Sequence, residues 1–122
     1  MNRFLVPLLA AASIALPVLA AEEHAPKFGG VVVETKAGDL ELVAKPGVIH
    51  IHAGDHGKAL KLTTASGKVT VFNGNDKTQA PLVLVGDKLE AKGSFKVSAG
   101  TKGLAEVSLN GKPTVSARFT LK

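Results

Sequence analysis

The amino-acid sequence predicts an all-β protein, an immunoglobulin-like antiparallel β-sandwich, with a small β-barrel as the alternative. Three observations carry that expectation. Short runs of Val, Leu, Ile and Ala alternate with polar residues at a period of two. Clusters of Gly, Pro, Asn and Asp interrupt those runs at roughly ten-residue spacing. No stretch of the chain sustains a helical period. Eight to ten short strands are expected.

The N-terminal end reads as a leader. Arg3 is a positive n-region, Phe4 to Leu16 is an apolar h-region, and Pro17-Val18-Leu19-Ala20 resembles a small-residue cleavage site. Residues 1–20 are therefore expected to be a removed signal peptide, with a retained membrane anchor as the alternative. No other segment is apolar and long enough to span a bilayer. The expected location is the periplasm of a Gram-negative bacterium, or the exterior. With no Cys in its 122 residues, the chain has no disulfides to rely on there. Residues 21–30 are polar and read as a flexible N-terminal segment, followed by one β domain over 31–122.

Within that domain, Val31 to Thr35 is β-branched and predicts a first strand. Leu40 to Ala44 alternates, with Leu40, Leu42 and Ala44 inward. Pro46-Gly47 turns the chain into Val48-Ile49-His50-Ile51-His52-Ala53. On that strand Ile49, Ile51 and Ala53 share one face, expected to be buried, and His50 and His52 share the other. Gly54-Asp55-His56-Gly57 is a turn that would return His56 towards His52. Ala59 to Thr63 predicts a strand that Ala65-Ser66-Gly67 breaks, and Lys68 to Phe72 predicts the next. Asn73-Gly74-Asn75-Asp76 is a dense turn signal. Pro81 to Val85, continuously apolar, predicts a strand buried on both faces or one leading into the core. Leu89 to Ala91 and Phe95 to Val97 follow. The final pair, Leu104 to Leu109 and Thr114 to Lys122, is joined at Asn110-Gly111, which suits a type I′ hairpin turn.

Net charge is +5 and falls to +4 if Arg3 leaves with the leader. The excess is lysine, spaced along the whole chain without interleaved aromatics, so the pattern of nucleic-acid binding is missing. Spaced lysines serve solubility and protect sheet edges. Nor does the chain carry a Cys nucleophile, a Gly-x-Ser-x-Gly elbow or a recognisable carboxylate pair, so an enzyme is not expected.

Histidine carries the remaining chemistry. Two residues apart on one strand face, His50 and His52 have Cβ atoms about 7 Å apart and could converge on one ion. His56 or Asp55 could add a third ligand. The plain alternative is a solvated strand face with a turn histidine. The mature chain lacks sulfur ligands, so imidazole and carboxylate would suit Cu(II), Zn(II), Ni(II) or Co(II). His24 is a further candidate. Cleavage after Ala21 would make it third in the chain, where an α-amine, two amide nitrogens and the imidazole form a square-planar set. Cleavage after Ala20 fits the leader better and would remove that arrangement.

Phe28-Gly29-Gly30-Val31-Val32-Val33-Glu34, Leu40-Glu41-Leu42-Val43, Ile49-x-Ile51, Asp55-His56-Gly57-Lys58 and Arg118-Phe119-Thr120-Leu121-Lys122 resemble a group of small secreted bacterial β-sandwich proteins. Similar segments precede the adaptor subunits of heavy-metal efflux pumps. The resemblance covers most of the mature chain. In that group a histidine commonly precedes the Gly-Gly pair; here Phe28 stands there. The resemblance implies an envelope protein, with an efflux adaptor as an expected partner. The expected function is binding or buffering of a divalent transition metal. A metal-free structural or protein-interaction module is the alternative, and a hydrolase with a site assembled across loops is a third option.

Overall fold

The computed structural model describes residues 25–122; the leader and His24 lie outside the described residues. Nine strands occur among them: β1 (Val31–Thr35), β2 (Gly38–Lys45), β3 (Val48–Asp55), β4 (Lys58–Ala59), β5 (Ala65–Asn73), β6 (Asp76–Val85), β7 (Lys88–Lys92), β8 (Lys102–Leu109) and β9 (Val115–Thr120). They form one antiparallel sheet in the order β1-β2-β3-β7-β6-β5-β8-β9, with β4 added to the end of β3. The sheet rolls until β1 and β9 lie alongside each other without a ladder between them. The fold is therefore all-β and nearly closed.

Tight two-residue turns build most of this order. Thr35 pairs with Gly38, Lys45 with Val48, Asp55 with Lys58, Asn73 with Asp76 and Val85 with Lys88. The inner face collects Leu40, Leu42, Ile49, Ile51, Val69, Leu82, Leu89, Val107 and Phe119, all buried. A void bordered by Ile49, Val71 and Phe119 measures about 10 Å³, water-sized at most.

Several expected elements come out differently. Of the predicted 59–63 strand only Ala59 lies in a ladder, in the two-residue strand Lys58–Ala59 paired with β3. Lys61, Leu62 and Thr63 keep the exposed-buried-exposed alternation, but there the chain crosses from the β3–β4 hairpin to β5 without a ladder partner. The Asn110 side chain holds that crossing, accepting from the Thr63 amide at 2.8 Å and donating to the Lys61 carbonyl at 2.9 Å. Asn110 and Gly111 have the positive φ angles of a I′ turn, 53° and 76°. The β8–β9 ladder nevertheless closes at Val107 and Val115, because Pro113 has no N–H to extend it and Asn110 is engaged with the crossing. Phe95 is buried outside any strand, its amide donating to Pro46 O at 2.7 Å in the β2–β3 turn. In β6 Thr78, Ala80, Leu82 and Leu84 face inward; Val83 and Val85 are exposed, so that strand is buried on one face. Pro81 is accommodated because the β7 ladder reaches only from Val83 to Val85, leaving no β7 partner that needs its N–H.

Gly67 lies inside β5, where it was expected to break a strand. A Cβ there would sit 2.1 Å from the Glu106 carbonyl oxygen of β8, so close backbone approach explains the glycine. Gly67→Ala is expected to lower unfolding stability by about 2–4 kcal/mol, since backbone must shift to admit a methyl group. Gly47→Ala, with nothing within 4 Å of the new Cβ, is expected to be neutral or stabilising by up to about 1 kcal/mol. Urea melts of the two variants check the contrast.

Candidate functional site

The chemistry-bearing residues gather on the outer wall over β2, β3, β7 and β6. Burial of Ile49 and Ile51 turns His50 and His52 outward together. Ladder register then dictates their neighbours. One row across the wall reads Val43, His50, Glu90, Val83, and the next reads Glu41, His52, Lys88, Val85. The imidazole centroids are 6.2 Å apart, edge to face at 66°.

His50 Nε2 lies 2.9 Å from Glu90 Oε2. That hydrogen bond holds the Glu90 carboxyl below its ordinary value of 4.5; burial opposes the shift and Lys92 assists it. An ionised carboxylate only accepts, so in the neutral His50 ring Nε2 donates and Nδ1 keeps its lone pair.

His52 has a different setting. The Phe28 ring stacks on it at a centroid distance of 3.8 Å and an interplanar angle of 13°. Burial pushes its imidazole below the ordinary 6.5; Glu41 opposes that shift most strongly, His50 and Lys88 add to it, and Asp87 opposes it weakly. Phe28 is held there by Glu41, a carboxylate on the outer face of β2 that is only 6% exposed. It accepts from the amides of Lys27, Phe28 and Gly30, each at 2.8 Å. Gly29 takes φ +80°, and a Cβ at Gly30 would meet Leu42 O at 2.2 Å, so the Gly-Gly pair lets the backbone close over the carboxylate. The Lys27 ammonium donates to the Gly57 carbonyl. Residues 27–30 of the expected flexible segment thus form a strap across β2 and β3. Beneath it is a cleft of about 100 Å³, bordered by Phe28, Val32, His52 and Ala59.

The other expected ligands sit apart. His56 is a turn residue with φ 51° and an 88% exposed side chain, 3.4 Å from Asp55 Oδ1. His24 is outside the described residues. Among the described residues no three His, Asp or Glu side chains form a ready-made metal-binding group. Sequence reasoning missed Glu41, Glu90 and Phe28. Glu41 carried a local signal, an acid between Leu40 and Leu42; its closeness to the Gly29-Gly30 pair, eleven residues away, and the place of Glu90 needed the fold. Comparison of the chain with protein-family models, with curated proteins and with solved structures finds no match.

Glu41→Ala is expected to release the strap. Hydrogen exchange at the amides of Lys27, Phe28 and Gly30 should become fast while β5 and β8 stay protected, with a stability loss of about 1–3 kcal/mol. Acid sensitivity follows from the two shifted groups. Both His52 and Glu90 bind protons more weakly folded than unfolded. Their stabilisation is complete above the ordinary values and is lost as pH falls through the lowered folded ones. Stability should therefore be flat above about pH 6.5 and decline in two steps below it, and His52→Gln should remove the upper step in urea melts across pH.

Proposed function

We propose that this is an exported, non-catalytic protein that binds a divalent transition metal on the outer wall of its sheet, using His50 and His52 as ligands and Glu90 as the group that orients His50. The observation that carries this reading is the pairing of two outward imidazoles with one of them already hydrogen-bonded to a carboxylate. Two imidazoles sharing an ion at bonds of about 2.1 Å and a tetrahedral angle have centroids about 5.3 Å apart, so the observed 6.2 Å needs the two side chains to close by about 1 Å. A carboxylate on the second ring nitrogen is the usual outer-shell partner of a ligating histidine. Desolvation of His52 favours the neutral ring, which is the form that binds metal.

Imidazole ligands without sulfur suit Cu(II), Zn(II), Ni(II) or Co(II). The rolled sheet serves in this reading as a sandwich-type scaffold in the bacterial envelope. Buffering of a heavy metal, or its delivery to an efflux adaptor, is the role it would support. Asp55 and His56, in an exposed turn, are not needed for it.

Calorimetric titration at pH 7.5 tests the proposal. Saturable heat is expected for at least one of Cu(II), Zn(II) and Ni(II), abolished in the His50→Ala/His52→Ala double variant. Glu90→Gln should weaken the same binding by about 10–100-fold. No saturable heat for any ion would overturn the reading and favour a metal-free interaction module.

A further inference from the structure

The large apolar side chains exposed on the described surface are Phe28, Val83 and Val85, at 56, 53 and 40%. All three border the histidine pair. Val83 flanks Glu90, which flanks His50; Val85 flanks Lys88, which flanks His52; Phe28 lies on the His52 ring. At the spacing of neighbouring strands, each valine is about 10 Å across the wall from its histidine. The candidate ligands are therefore set inside an apolar rim.

The ligand set itself is half complete. Zn(II) takes four ligands in a tetrahedron. One chain offers two imidazoles here. Glu90 is engaged with His50 Nε2, and His56 stands in the β3–β4 turn beside Asp55. We propose that a second copy of this chain completes the site: His50 and His52 from each of two chains bind one Zn(II) on a two-fold axis, and Phe28, Val83 and Val85 of both copies close around it. This rests on the metal-binding reading above.

Two-fold symmetry suits the charges. Lys88 and Glu90 sit one step apart on the same face of β7, so opposed copies can set Lys88 of one against Glu90 of the other. Lys92, whose ammonium lies 3.9 Å from Glu90 Oε1, adds a second cation to each copy's patch, so the pairing of opposite charges is available from both sides of the axis. The wall is convex because the sheet is rolled, which limits the area that two copies can bury against each other. Pairing should consequently depend on the ion.

Sedimentation of the exported chain with and without Zn(II), alongside calorimetry, tests this. The expected result is a monomer in EDTA, a dimer with Zn(II), and one ion per two chains. Val83→Lys/Val85→Lys should abolish the dimer and weaken Zn(II) binding at least tenfold. A monomer holding one ion per chain would overturn the bridged dimer and leave the metal-binding reading standing. No Zn(II) binding at all would overturn both. A dimer that persists in EDTA, or in His50→Ala/His52→Ala, would overturn the bridge, and a zinc dimer untouched by the valine substitutions would overturn the apolar rim.

Discussion

The pleat of β3 is the constraint on which the rest of this molecule depends. That strand is paired along both edges, through seven residue pairs with β2 and five with β7. A slip of one residue would expose Ile49 and Ile51 and turn His50 and His52 into the core. Each isoleucine contributes about 1.5–3 kcal/mol by burial, and unpaired imidazoles in the interior would add a further penalty. The slipped register is therefore disfavoured by an amount comparable to the whole stability of a small domain. Once β3 is fixed, the register places Glu90 against His50 and Glu41 against His52 without further choice.

Glu41 turns this sheet geometry into a chemical environment. A buried carboxylate would be costly if unpaired, and three backbone amides of the strap satisfy it. The strap can supply them only because Gly29 adopts positive φ and Gly30 has no Cβ to strike β2. Its path then lays Phe28 on His52. The stacked ring keeps water from one face of the imidazole and biases it towards the neutral form. Thus an acid on one strand, two glycines upstream of it and the aromatic that precedes them together shape the surroundings of a histidine on the neighbouring strand.

Much of this was legible in the sequence where a period of two met a water-facing sheet. The alternation in 48–53 predicts both the buried isoleucines and the outward imidazoles, and Asn73 to Asp76 predicts a turn, which forms between β5 and β6. The misleading places share one cause: alternation reports which side of the chain faces solvent, not whether a neighbouring strand exists. Lys61 to Thr63 alternates while crossing between hairpins. Val83 and Val85 extend an apolar run yet face outward, since their exposure depends on what covers β6. Gly67 sits inside a strand because β8 passes close to it, a tertiary fact with no local trace. Glu90 is forty residues from His50 and became its neighbour only through the pairing of β3 with β7.

The packing also decides where binding chemistry can reside. The inner face is built from aliphatic side chains and Phe119, and the void beside Ile49 is too small for an organic ligand. Among the described residues the chemistry-bearing side chains accordingly lie on the outer wall and the turns. Much of that exterior is lysine and small polar residues, which remain well hydrated and suit solubility. The histidine rows differ in physical kind. They combine two imidazole nitrogen donors, that of His52 partly desolvated, a carboxylate whose pKa is lowered by its imidazole partner, and apolar side chains left in water beside them. Exposed apolar groups gain by being covered and imidazole lone pairs gain by finding a cation. Binding one ion between two such faces would satisfy both tendencies at once, which a hydrated lysine face cannot do.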